Sequence, residues 1–350
     1  MFDCNEDVLA YHDDKVTLPQ SDRSEMRQRR DANRTRLRKG LKNNSNPAPI
    51  ESKSQGSYEM KTMTQHPEKD YDIDDGVYFD SNDLVGAKGG VMTALAARQM
   101  VRDAVDDGRF KTAPEVRLNC VRVLYDAGYH VDLPVYRQVV VRDVFDQEQI
   151  HNELASSDWK RSDARDVTEW FDNENQTQSP DESNGRQLRR VVRLIKKFAR
   201  SRPSWSGQIL SGFGITKLVT ESYSKDASRE DCALHDTMKA IRDRLNYNLI
   251  VNHPVTPGET ITNGVADPKA KFLRERLKDA IRWLEPVHES DCTRQKALGC
   301  WNQVFSCSFF SERNSSGEKA ASSVLTAGLY SGLGAGSPTV VHKDGGGRYA

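Results

Sequence analysis

Tyr71-Asp72-Ile73-Asp74-Asp75-Gly76-Val77-Tyr78-Phe79 alternates polar and apolar side chains and is rich in strand-forming residues. Read as a strand, it turns Asp72 and Asp74 to one face, about 6.6 Å apart at ~3.3 Å per residue, and Ile73 to the other. Two carboxylates side by side, with an apolar residue anchoring the strand behind them, suit a hard, oxygen-seeking cation. Mg²⁺ is the expected ion and Mn²⁺ the alternative, because such ions take a few carboxylates and keep their other positions for water and phosphate. The same run, residues 72–76, also reads as a plain polar turn.

Two further stretches bear on the choice. His130-Val131-Asp132-Leu133-Pro134 places a carboxylate within an apolar β-like run. Burying an aspartate there is unfavourable unless it is paired or metal-bound. Asp132 therefore reads as a third ligand on a neighbouring strand, or as an exposed edge residue. His130 lies on the face opposite Val131 and reads as structural, not as a ligand. Gln55-Gly56-Ser57 ends fifteen residues before Asp72. A glycine lets backbone approach a triphosphate, and a hydroxyl with nearby N–H groups donates to phosphate oxygens. Gly-Ser carries information only as part of the ordered set: Gly-Ser, then D-x-D on a strand, then a lone aspartate 58 residues beyond Asp74.

Around this set the chain divides into segments. Residues 1–49 form a polar lead that includes a basic helix over 23–44, either a solvated face or one turned to phosphates. Residues 50–145 read as an α/β lobe: the strand 71–79, a helix over 85–107, then β-like runs 116–125 and 128–142 joined by a hairpin turn at Asp126-Ala127-Gly128. Residues 146–312 read as a helical lobe. In it, Leu188, Val191, Val192, Ile195 and Phe198 make one stripe, and further helices are expected over 206–223, 231–244, 268–284 and 293–310. Residues 313–350 read as a flexible Gly/Ser-rich tail. A cleft between the two lobes is the default site.

Composition narrows the function. The 350 residues carry 51 Lys+Arg and 51 Asp+Glu, with a mean hydropathy of −0.73. A neutral balance argues against a dedicated nucleic-acid binder, which needs a cation for each phosphate it neutralises, so no stable nucleic-acid complex is expected. No run approaches 18 apolar residues, so no membrane span is expected. The acidic N-terminus lacks the apolar core of a signal peptide, so a cytoplasmic location with reduced thiols is expected for the six cysteines. None of them forms C-x-x-C, the eight histidines include no H-E-x-x-H, and no zinc site is expected.

The ordered set Gly56-Ser57, Asp72-Ile73-Asp74 and Asp132 resembles the DNA polymerase β-like nucleotidyltransferase superfamily. Gln55-Gly56-Ser57-Tyr58, Tyr71-Asp72-Ile73-Asp74-Asp75-Gly76-Val77-Tyr78 and His130-Val131-Asp132-Leu133-Pro134-Val135-Tyr136 are similar to the bacterial cyclic GMP-AMP synthase group of the CD-NTase family, which serves anti-phage CBASS operons. Leu188 to Lys196 looks like that family's central helix. Pro203-Ser204-Trp205-Ser206 and Asn252-His253-Pro254-Val255-Thr256-Pro257-Gly258-Glu259 are similar to other parts of it. The resemblance covers about residues 50–310 and does not extend to residues 1–50.

It implies an α+β fold: a polymerase β-like α/β lobe with a mixed sheet and a helical C-terminal lobe of the OAS/cGAS type. It further implies that Asp72, Asp74 and Asp132 bind Mg²⁺ and are catalytic. Gln55, Gly56 and Ser57 hold a donor triphosphate, Lys196 touches its phosphates and Ser206 positions the nucleotide. Lys196 also reads as solvation on a helix carrying Arg189, Arg190, Arg193 and Lys197. Arg122 lies one position from a base-contacting arginine of the family.

The implied activity makes a cyclic di- or oligonucleotide from ATP, GTP or other nucleoside triphosphates with release of pyrophosphate. Its implied partners are an effector reached through the product and helper proteins acting on the tail ending Gly345–Ala350. Two alternatives remain open: a template-independent nucleotidyltransferase acting on RNA or a small molecule, and a catalytically silent nucleotide-binding module.

Overall fold

In the computed structural model, which describes residues 1–67, 69, 71–86, 88–125, 128–142 and 144–313, the quoted run is strand β2 (Tyr71–Asp80) at the centre of an eight-stranded mixed sheet. β1 (Glu51–Gln55) pairs antiparallel along one edge of β2. The other edge is shared by two strands, both parallel to β2: β5 (Tyr129–Leu133) along its first half and β6 (Val135–Arg142) along its second. Pro134 sits at the junction, where it can donate nothing to the ladder, and its carbonyl accepts from the Val77 N–H at 2.8 Å. β4 (Val121–Leu124) runs antiparallel to β5, with the two-residue β3 (Glu115–Val116) beyond it. β7 (Glu148–Ala155) and β8 (Trp159–Arg161) extend the sheet past β6.

The alternation of β2 sorts its side chains onto two faces. Ile73, Val77 and Phe79 are fully buried against helices α2 (Gln20–Asn43) and α4 (Ala94–Val105). Asp75 points the same way and is itself fully buried. Arg34 of α2 reaches it with Nε and Nη2 at 2.8 and 2.6 Å, and Ser54 Oγ adds a third bond at 3.2 Å. The basic helix expected over 23–44 is therefore neither simply solvated nor turned to phosphates at this position, because one of its arginines neutralises a core carboxylate. Gly40 marks the crossing of α2 with α4, where a Cβ would lie 1.9 Å from the Ala104 carbonyl oxygen.

A second apolar core joins α5 (Ala164–Gln178), α6 (Gln187–Ala199), α7 (Gly212–Ser222), α8 (Glu230–Tyr247), α9 (Pro268–Leu284) and α10 (Arg294–Phe305). The stripe Leu188, Val191, Val192, Ile195 and Phe198 is buried as its spacing requires. The basic positions of α6 are mostly engaged as well: Arg190 pairs with buried Glu230, and Arg193 donates to the Lys61 carbonyl at 2.7 Å. α1 (Asn5–Tyr11) also packs into this core, and its buried Asp7 accepts from Arg294 and Arg313. The first 43 residues thus span both lobes.

Several elements differ from the sequence reading. The helix expected over 85–107 begins only at Ala94, because Gly86, Gly89 and Gly90 favour a loop and Thr93 caps the helix by accepting from Ala96 N–H. The run 116–125 is divided between β3 and β4. Residues 148–161, placed in the helical lobe, are strands: their polar-apolar alternation pairs back on β6 as a hairpin, and helix begins at Ala164. The helix expected from 206 begins at Gly212, with the Ser211 side chain accepting from Gly214 N–H. Asp126 and Ala127 of the expected turn and the tail 314–350 lie outside the described residues. Among the described residues no helix is long and apolar enough to cross a membrane.

Candidate active site

The parallel register of β2 with β5 sets Asp72 beside His130 and Asp74 beside Asp132. Because side chains alternate along both strands, all four turn to the face opposite the α2/α4 core. One ligand atom each from Asp72, His130 and Asp132 lies within 4.8 Å of the others. His130 Nε2 is 3.3 Å from Asp72 Oδ1, and that interaction raises the imidazole pKa. Arg122, directly across the β4–β5 ladder, grips Asp132 with two bonds of 2.7 Å.

Asp74 bears the consequence of this crowding. Its carboxyl is pushed up to about 8, by burial first and then by the charges of Asp72 and Asp132. Like charges so placed are relieved by a proton or by a cation. Clustered carboxylate oxygens are the donors a hard divalent ion takes, so these residues fit Mg²⁺ or Mn²⁺.

Gly56 opens the four-residue helical turn α3 (Gly56–Glu59) directly above Asp74. It sits in the left-handed region at φ +64°, and a Cβ there would lie 2.2 Å from Asp74 Oδ2. Only glycine meets both demands. Gln55 lies behind the turn and is buried. Its Nε2 donates to the Tyr136 hydroxyl at 3.2 Å, and Oε1 accepts from the Tyr78 hydroxyl at 3.4 Å, beneath the stacked Tyr78 and Tyr136 rings.

Above these residues is a cavity of about 550 Å³ between the sheet and the helical lobe. Gly56, Ser57, Asp72, Asp74 and His130 line it from the sheet side; Val167, Lys196, Arg200, Phe213 and His253 line it from the helical side. Lys196 Nζ is buried and donates to Thr62 Oγ1 at 2.8 Å and to the Thr62 carbonyl at 3.4 Å. Burial, with Arg200 and Arg193 as like-charged neighbours, holds its pKa down to about 7.

Residues 50–136 match the family model described as the cyclic GMP-AMP synthase DncV-like nucleotidyltransferase domain. Solved structures share the fold well beyond it. Escherichia coli DncV bound to 3'-deoxy GTP superposes with a TM-score of 0.63 at 16% identity, covering 83% of this chain and 92% of that one. Vibrio cholerae DncV, in complex with the linear intermediate pppA(3',5')pG, gives 0.63 at 16% identity over 83% and 91%. CdnC of E. coli MS115-1, in complex with a HORMA protein, gives 0.62 at 16% identity over 86% and 97%. The chain therefore shares the α+β nucleotidyltransferase fold of these proteins.

Within this lobe and the helices facing it the structure gathers most of the residues singled out in the sequence. Asp72, Asp74, Gly56, Ser57 and Lys196 line one cavity, and Asp132 stands beside Asp74. Gln55 supports the turn from behind and does not line the cavity. Ser206 is not brought to the site: it is exposed, following a 3-10 turn at Pro203–Trp205. Trp205 takes the inward position, edge-on to Phe198 and Phe272, and that leaves Ser206 outside. The chain enters the cavity farther on, at Gly212 and Phe213. Arg122 is committed to Asp132 and not directed to a base.

His130 is the main correction. Its position opposite Val131 puts it on the face of Asp132, so the alternation that singled out Asp132 also carried His130 into the cluster. Phe213, Thr62 and Arg200 had no signal of their own. His253 falls in the Asn252-to-Glu259 loop noted for its resemblance, with no role attached to it.

Proposed function

We propose that the chain is a template-independent nucleotidyltransferase that makes a cyclic di- or oligonucleotide from nucleoside triphosphates, ATP or GTP among them. The observation that carries this reading is one cavity lined by Asp72, Asp74, the Gly56-Ser57 turn and the buried Lys196, with Asp132 paired beside Asp74 on the adjacent strand. Asp72, Asp74 and Asp132 would hold Mg²⁺ or Mn²⁺. Bound there, such ions lower the pKa of an attacking ribose hydroxyl and neutralise a leaving pyrophosphate.

The remaining work falls to the chain's own groups. Gly56 lets the backbone come close to the triphosphate, and Ser57 offers its hydroxyl to a phosphate oxygen. Lys196 exchanges its neutral partner Thr62 for a phosphate oxygen, a stronger charge-assisted bond. Arg122 holds the Asp132 carboxylate in one orientation. The helical wall limits water around the reacting groups.

The reading extends to an anti-phage signalling role in the cytoplasm, with an effector reached through the product and a helper protein acting on the tail. The HORMA complex of CdnC supports the helper as a class of partner.

Incubation with all four nucleoside triphosphates and Mg²⁺, followed by phosphatase treatment and separation, tests the reading. A phosphatase-resistant product that is absent with Asp72→Asn/Asp74→Asn is the expected result. Linear products alone, or none with either Mg²⁺ or Mn²⁺, would overturn it.

A further inference from the structure

Phe213 and His253 form a corner of the cavity that the phosphate and metal groups do not use. Their rings are 5.4 Å apart and inclined at 63°. A flat base lying on one wall of such a corner turns its edge to the other. Phe213 is the second residue of α7, after the cap Ser211, and close to Lys196, whose Nζ lies 3.9 Å from where a Gly212 Cβ would stand. The aromatic corner thus adjoins the cation expected to meet the phosphates.

The loop carrying His253 fixes the chemistry of its ring. The Thr256 and Val255 N–H groups point at Nδ1, at 3.0 and 3.4 Å. The His253 N–H donates to the Glu259 carbonyl at 2.9 Å, and Glu259 pairs with Lys160 of β8 at 2.9 Å, so the loop is held at both ends. Nδ1 is therefore an acceptor, and a neutral imidazole must carry its proton on Nε2. Burial lowers the ring's pKa and favours that neutral form. Nε2–H is then a donor with no acceptor role, and no protein partner takes it among the described residues.

We propose that Phe213 and His253 are the base-recognition pair of the site: Phe213 stacks on the base, and His253 Nε2–H donates to a carbonyl on its edge. This rests on the nucleotidyltransferase reading and adds a substrate class, the keto bases. Guanine and uracil present a carbonyl oxygen at the exocyclic position where adenine and cytosine present an amino group. A fixed donor is satisfied by the first pair and faces another donor in the second.

The test is calorimetric titration with the non-hydrolysable α,β-methylene analogues of GTP, UTP, ATP and CTP in Mg²⁺. The wild-type protein is expected to bind the GTP and UTP analogues about 10-fold or more tightly than the others, the size of effect an unpaired buried donor produces. Two substitutions separate base reading from loop support. His253→Asn keeps an acceptor where Nδ1 stands and has nothing at Nε2, so it should lose the preference. His253→Gln keeps a donor near Nε2 and gives up Nδ1, so it should retain it. Phe213→Ala should weaken all four analogues by a similar factor, about 5-fold or more, as loss of a stacking ring does.

Preference kept by Asn and lost by Gln would make His253 a loop support only and overturn the proposal. Equal binding of all four analogues by the wild-type protein would overturn it while leaving the nucleotidyltransferase reading intact. Failure to bind any of them would overturn both.

Discussion

Replacing Asp74 with asparagine is expected to stabilise the metal-free protein and to remove its response to divalent metal. Asp74 shares its face with Asp72 and Asp132, and its carboxyl moves from an ordinary 3.8 to about 8. Its value in the folded chain therefore lies above its value in the unfolded chain. Between about pH 4 and pH 8 the folded protein keeps a proton on Asp74 that the unfolded protein has released. Stability consequently falls as pH rises through that window, and the loss is complete above about pH 8.

At ~1.4 kcal/mol per pH unit the whole interval sets a ceiling of about 6 kcal/mol. Solvent in an open cavity raises the effective dielectric, and the expected gain is about 1–3 kcal/mol. Asparagine keeps the shape and removes the charge. Denaturant unfolding in EDTA at about pH 5, 7 and 8.5 measures the effect. The two proteins should differ least at the lowest pH and most at the highest. Adding Mg²⁺ should then raise the wild-type curve by mass action and leave the variant where it was. A variant no more stable than wild type at about pH 8.5 without metal would show that crowded carboxylates do not set the energetics of this site.

Two other substitutions probe charges buried for opposite reasons. Lys196 has a folded-state pKa near 7, below its ordinary 10.5, so its ammonium destabilises the fold below about pH 10 and does so fully below pH 7. Lys196→Met should therefore stabilise the metal-free protein by about 1–2 kcal/mol at neutral pH while weakening triphosphate binding about 10-fold or more, the loss of one charge-assisted bond; a variant that unfolds more easily yet binds normally would contradict both parts. Arg34→Ala strips the guanidinium from fully buried Asp75 and should lose about 3–5 kcal/mol, read as a lower denaturation midpoint. Adding Asp75→Asn to Arg34→Ala should recover part of that loss, whereas an additive further loss would mean that packing and not charge holds α2 to the sheet.

The parts of the fold that were legible were those whose side-chain period matches their burial. β2 alternates cleanly, α6 carries its stripe at helical spacing, and α9 runs between Pro268 and Glu285-Pro286 where its boundaries were expected. The failures have physical causes. A glycine cluster delays α4 to Ala94, and Pro134 breaks one apparent run into two strands that share an edge of β2. Glu148 to Ala155 is polar enough to read as helix surface and becomes strand only because β6 offers it a ladder, a partner that local sequence cannot reveal. Ser206 failed differently: Trp205 and Ser206 compete for the inward position, and the larger apolar surface wins it.

The aspartate run itself shows why a cluster of acids here differs from polar surface. Asp72, Asp74 and Asp75 stand within four residues of one strand, and alternation sends Asp75 to the back and the other two to the front. At the back the protein completes the electrostatics: one buried carboxylate, one guanidinium and one hydroxyl. At the front it does not. Among the described residues, Asp72, Asp74 and Asp132 face one guanidinium, Arg122, and one imidazole, His130, and the shortfall appears as a raised carboxyl pKa at Asp74. A sequence that can place Arg34 on one face could have placed a second arginine on the other. In its place Gly56 presses against Asp74, with no room for a side chain, and Lys196 is held across the cavity on a neutral threonine. Negative charge left unbalanced on one wall and positive charge left unpaired on the other are complementary to a metal-bound triphosphate, and the stability lost in keeping them apart is what Asp74→Asn and Lys196→Met should each return.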